Sequence, residues 1–243
     1  MGLMRPVQAL FFDLDDTLVD FSSARKRALN DIATDLAQRA SHENPRGAID
    51  ARAAIVRERV ERGASVTQTS NMGADRIRVW QEVLNAIGTP DLANPAELVD
   101  KHDALTCEHL RLYPDSDAAV RWAQDRFELV GIITNGASEA QWREIRAVGL
   151  DTRVQRVIVA GDVGAYKPDV RIFEAALANV KIAPIECAFV GNSPDHDVAG
   201  ACAAGWQTIW LNRDSSSYPP TAPDPSVVIR SLAKIPLLFQ GLR

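Results

Sequence analysis

Four short polar clusters interrupt the apolar patterning of this chain: Asp13-Leu14-Asp15-Asp16-Thr17, Thr134-Asn135-Gly136, Lys167-Pro168, and Gly191-Asn192-Ser193-Pro194-Asp195-His196-Asp197. The carboxylates of the first and last clusters are hard oxygen ligands of the kind Mg2+ takes, and the amide oxygen of Asn192 can join them. The Thr134 hydroxyl and the main-chain amides of Asn135 and Gly136 can hydrogen-bond anionic oxygens, with Gly136 letting the backbone come close. Lys167 adds a point charge. Groups of this kind suit attack on a phosphate ester, whose anionic oxygens must be neutralised before an anionic nucleophile can approach in line. Singly, each has a plainer reading. The first is an acidic turn, Asn135-Gly136 a turn signal, Lys167 a solvated surface lysine and Asp195 a helix N-terminal acid.

The elements that must position these clusters follow from periodicity. Residues 7–12 read as a buried strand, a short apolar run ending in an acidic turn. From about 22 to 112 the pattern is helical, with stretches 24–39, 48–62, 75–87 and 95–110 punctuated by Gly63, Gly88 and Pro90. After Pro114 helices (116–127, 138–148, 169–179, 195–204) alternate with strands (129–133, 154–159, 187–190, 207–211 and 227–229), and a terminal helix follows. That alternation predicts an α/β fold, a doubly wound parallel sheet with a Rossmann-like core. The first strand must join the sheet, because alone it could bury neither face. The helical block is therefore an all-helical insertion. The expected domains are residues 1–20 with 113–243 as core and 21–112 as insertion. In an open parallel sheet ligands gather outside the carboxyl ends of the strands, and all four polar clusters follow strand ends.

Composition narrows the partners. With 46% hydrophobic and 24% charged residues the 243-residue chain reads as an ordinary globular protein. No run approaches the roughly 20 apolar residues of a membrane span, and no signal peptide is evident, so a cytoplasmic location is expected. Net charge −5 weighs against a nucleic-acid polymer as partner. Cys107, Cys187 and Cys202 show no CxxC spacing and read as reduced thiols, and the four scattered histidines argue against a histidine-held metal.

The four clusters, in this order at strand ends, resemble the four motifs of the haloacid dehalogenase superfamily. The resemblance covers residues about 7–20 and 113–212, while the insertion resembles the family's C1-type cap only by position and helical content. It implies a Mg2+-dependent phosphomonoester hydrolase acting on a small phosphorylated metabolite. Asp13 would be the nucleophile that forms an aspartyl-phosphate, and the main-chain carbonyl of Asp15 would touch the metal. The Asp15 side chain would protonate the leaving alkoxide and then activate water. Family members that dehalogenate lack an aspartate two residues after the nucleophile, so Asp15 favours phosphate chemistry. Thr134, Asn135, Gly136 and Lys167 would hold the phosphate. The rival readings are a phosphomutase, which returns the phosphoryl group to another hydroxyl, and a non-catalytic phosphate-binding or regulatory module.

The fourth cluster departs from the family pattern. An acid usually follows the glycine and ligates Mg2+, whereas this chain has Asn192, with Asp197 at the second acidic position. Either Asn192 ligates directly with Asp197 bracing it, or Asp197 becomes the main ligand, or metal binding is weak. A cap at this location is expected to close over the site and read the leaving group, with hinges near Asp20 and residues 112–114. Its polar segment 63–76 offers Asn71 and Arg76 as substrate contacts. Neither substrate identity nor oligomeric state follows from the residues.

Overall fold

The computed structural model of the protein describes residues 4–39, 47, 50, 51, 54 and 72–240. Most of the expected helix 48–62, and Asn71, lie outside the described residues. In chain order the main elements are β1 (Ala9–Phe12), α1 (Phe21–Arg39), α2 (Met72–Ala86), α3 (Pro95–His109), α4 (Ser116–Gln124), β2 (Leu129–Thr134), α5 (Ser138–Ala147), β3 (Arg156–Val159), α6 (Ala160–Val163), α7 (Val170–Ala176), β4 (Cys187–Gly191), a π-helical turn (Pro194–Val198), α8 (Ala199–Ala203), β5 (Gln207–Leu211), β6 (Val227–Ile229) and α9 (Ile235–Leu238).

The sheet runs β3-β2-β1-β4-β5-β6, and every pairing is parallel. Strands β1, β2, β4 and β5 are buried along their whole length, as a sheet covered on both faces requires, which is why each reads as a nearly continuous apolar run. On one face Phe11 meets Trp206 at 5.2 Å between ring centroids, and Phe173 bridges Phe189 and Trp206 at 5.3 and 5.4 Å. Each fully buried Phe contributes roughly 1.5–3 kcal/mol. Strand order reverses beside β1, so the crevice between the carboxyl ends of β1 and β4 is the switch point where such sheets bind ligands.

Two compact units emerge, residues 1–21 with 110–243 and residues 22–109. The second is built on α1, α2 and α3, whose apolar faces bury Leu29, Ile32, Leu36, Trp80, Val83, Leu84 and Leu98 together. Within the first unit the outgoing and returning segments pair side by side. Asp20 N donates to Arg111 O at 3.0 Å, Tyr113 N donates to Leu18 O at 3.0 Å, and Val19 bridges Leu112 antiparallel. No helix among the described residues is long and apolar enough to cross a membrane.

Several elements differ from expectation. The stretch 195–204 divides into a π-helical turn and α8, because the Ser193 side chain caps the His196 amide and the Asp197 carboxylate turns back onto the Ser193 amide. Such π segments recur at functional sites. The helix expected from 169 begins as α7 at Val170, with Asp169 as its cap, whose side chain accepts from Arg171 N. Helix α7 stops at Ala176, short of residue 179, where Asn179 takes a left-handed φ of 64°.

Candidate active site

Asp13 is the first residue beyond β1, and its amide still donates to Val190 O of β4 at 2.8 Å. The chain then closes tightly on itself: Leu18 N and Val19 N both donate to Leu14 O, and Asp16 takes a left-handed φ of 57° that Asp tolerates. This turn leaves Asp13 at the carboxyl end of β1, beside Val190 of β4.

Lys167 is 2% exposed, so the surface-lysine reading is overturned. Its Nζ donates to Asp13 Oδ1 at 2.6 Å and to Asp197 Oδ1 at 2.7 Å, all three groups being buried. The Asn135 side chain holds the lysine's main chain from both sides, donating through Nδ2 to Lys167 O at 3.0 Å and accepting Lys167 N at 2.8 Å. The side chain of Asn135 thus positions Lys167, a role its Asn-Gly turn signal does not announce.

Burial pushes the Asp13 carboxyl from its ordinary 3.8 up to about 6, against the pull of Lys167 and helped by Asp197. Burial also opposes the charge on Lys167, but Asp13 and Asp197 outweigh it and hold the ammonium protonated above its usual range. Asp15 is raised well above the carboxylate range by burial and by the neighbouring charges of Glu144, Asp13 and Asp16.

Thr134 ends β2 with its hydroxyl 2.5 Å from Gln141 Oε1. Gly136 has φ 143°, and a Cβ there would lie 2.7 Å from Gln141 Cγ, so glycine is required by conformation and by space. Gln141 and Glu144, buried on α5, are site neighbours that sequence reasoning passed over. Their signal is a pair of polar residues three apart on the face that also buries Ile145. Arg213 was likewise missed: its guanidinium donates to Thr17 O at 2.9 Å, pairs with Asp115, and lies 4.0 Å over the Tyr113 ring, bracing the turn that follows β1.

Asn192 lies on the loop after β4. Its Oδ1 accepts from Thr17 Oγ1 at 3.4 Å, and its carbonyl accepts from Trp210 Nε1 at 2.9 Å. Asp197 gives Oδ1 to Lys167 and Oδ2 to the Ser193 amide at 2.9 Å. It sits directly over Gly191, where a Cβ would come 2.3 Å from Asp197 Oδ2. Gly191→Ala is therefore expected to displace Asp197 and to destabilise the fold by about 1–3 kcal/mol, as overpacking does. Urea unfolding of the variant checks this, and an unchanged midpoint would contradict it.

Among the described residues no cluster of three or more His, Cys, Asp or Glu is arranged as a metal cage. The Asp13 carboxylate, the Asn192 amide oxygen and the Asp15 carbonyl are hard oxygens of the kind Mg2+ takes, and that ion uses few protein ligands. The Arg76 guanidinium makes a two-point pair with Asp103, joining α2 to α3 inside the helical unit.

The family model for haloacid dehalogenase-like hydrolases matches residues 7–205. The chain is 36% identical over 153 residues to the phosphoserine phosphatase of Thermus thermophilus, an alignment covering 62% of this chain and 59% of that protein. It is 25% identical to the N-acylneuraminate-9-phosphatase of Rattus norvegicus, covering 100% of this chain and 97% of the relative. Among solved structures, the HAD-hydrolase YfnB of Bacillus subtilis, bound to magnesium, superposes with a TM-score of 0.77 at 24% identity, covering 97% of this chain and all of that one. With its parallel sheet and a family match over most of its length, the chain belongs to the haloacid dehalogenase-like hydrolases.

Proposed function

We propose that the protein is a Mg2+-dependent phosphomonoesterase acting on a small phosphorylated metabolite through an aspartyl-phosphate on Asp13. The observation that carries this reading is the buried Asp13 carboxylate held by Lys167 at the β1/β4 switch point, with Asp15, its carboxyl raised well above the ordinary value by burial, two residues on. Two relatives that hydrolyse chemically different phosphate esters, one of an amino acid and one of a sugar acid, support a small-metabolite substrate.

In this reading an Asp13 carboxylate oxygen attacks phosphorus. The ester P–O bond breaks, and Asp15 gives its proton to the leaving alkoxide. Water then attacks the aspartyl-phosphate and yields a proton to Asp15, the bond from phosphorus to Asp13 breaks, and orthophosphate leaves. Lys167 and Thr134, with the amides of Asn135 and Gly136, hold the phosphate oxygens. Bound Mg2+ would supply further neutralisation of those oxygens, held by Asp13, the Asp15 carbonyl and Asn192. Asp197 serves as the brace in this assignment, because both its oxygens already have partners in Lys167 and Ser193.

The test is phosphate release from an aryl phosphate with Mg2+ and after its removal by a chelator. Turnover that requires the metal is expected, and metal-independent turnover would sink the reading. Since Asn192 brings no charge, Asn192→Asp is expected to tighten Mg2+ binding by roughly tenfold. Isothermal titration calorimetry reads this directly, and an unchanged affinity would remove Asn192 from the ligand set.

A further inference from the structure

Gln141 stands at the junction of two groups that the chemistry requires. Its Nε2 donates to Glu144 Oε2 at 3.0 Å and reaches Asp15 Oδ2 at 3.4 Å, while its Oε1 accepts from Thr134 Oγ1 at 2.5 Å. The amide orientation is dictated by its surroundings. Two carboxyl groups on one side demand the NH2 there, which leaves the carbonyl oxygen for the threonine hydroxyl. The side chain is buried on α5, and the backbone at Gly136, with its positive φ and no Cβ, is shaped around it. The remaining oxygen of Asp15, Oδ1, is buried and has no hydrogen-bond partner among the described residues. The direction in which Asp15 presents Oδ1 is therefore set through Oδ2 and Gln141.

We infer that Gln141 is a positioning residue that aims Asp15 at the leaving-group oxygen. The inference rests on the phosphomonoesterase reading above. Its consequence is a dependence on leaving group. A nitrophenolate departs without a proton and scarcely needs Asp15, whereas an alkoxide must be protonated as it leaves.

The experiment compares kcat/KM for 4-nitrophenyl phosphate and for a simple alkyl phosphate in the parent, Gln141→Met, and Gln141→Glu, which keeps an acceptor for Thr134 but loses the donor to Asp15. Both variants are expected to lose about a hundredfold on the alkyl ester and less than about fivefold on the aryl ester, the scale of one acid/base contribution. Using two variants keeps the test decisive where one fails to fold. In an Asp15→Asn background, Gln141→Met should leave the alkyl-to-aryl ratio unchanged, since its effect passes through Asp15. Equal losses on both esters, or an undiminished selective loss in the Asp15→Asn background, would overturn the positioning role while leaving the phosphatase reading intact. A parent protein that hydrolyses neither ester would bring down the phosphatase reading and the Gln141 role with it.

Discussion

Asp13→Asn is expected to lower kcat by at least ~10^4-fold, since it removes the nucleophile of the proposed mechanism, and yet to gain stability relative to the parent as pH rises. The sign follows from linkage. Burial raises the Asp13 carboxyl from 3.8 to about 6, so its stabilising contribution is fully present below about pH 4 and is lost as pH climbs through 6. The neutral amide carries no such dependence and can still accept a hydrogen bond from Lys167 through its oxygen. In metal-free buffer the variant should therefore be more resistant than the parent at pH 8 by a larger margin than at pH 5, as read by urea unfolding at the two values. Mg2+ should reverse the order, because a metal that binds the ionised carboxylate stabilises the parent by mass action and has less to bind in the variant. A variant whose margin shrinks between pH 5 and pH 8 would contradict the burial argument.

Lys167→Met should damage both stability and activity. The ammonium lies within 2.7 Å of one oxygen of each of two buried carboxylates, and removing one member of such a group leaves uncompensated charge behind, at about 3–5 kcal/mol. The loss should be smaller at pH 5 than at pH 8, because the Asp13 carboxyl, already raised to about 6 by burial, takes up a proton more readily without the cation. Turnover should fall about 10^2–10^3-fold, the scale of one electrostatic contact to the transferring group. Adding Asp197→Asn to the Lys167→Met variant separates the two effects: removing one of the stranded charges should restore part of the stability and none of the activity. Full recovery of activity in the double variant would show that Lys167 acts on the fold alone.

Much of the fold was legible in local pattern. The sheet strands read as apolar runs because both of their faces are covered, and the helices between them read from 3.6-residue spacing, since each buries a single stripe. The acidic turn after residue 12 and the Asn-Gly turn after β2 stood out because polar residues at the ends of buried strands mark the functional edge of a parallel sheet. Local pattern was less informative where a side chain reshapes the backbone. The π-helical turn at Pro194–Val198 arises because Asp197 folds back to the Ser193 amide, a contact that no periodicity encodes.

The residues by themselves determined the family, the doubly wound parallel core and the set of polar clusters that reach its edge, because those follow from spacing along the chain and from the types of groups present. Only the tertiary structure decided which of those groups meet. It buried Lys167 between Asp13 and Asp197, 154 and 30 positions away, turned the Asn135 side chain onto the lysine's backbone, brought Gln141 between Thr134 and Asp15, and gave Arg76 to Asp103. These partnerships depend on desolvation and hydrogen-bond satisfaction between distant segments, and such energies exist only once the sheet has closed and water has been excluded from its edge.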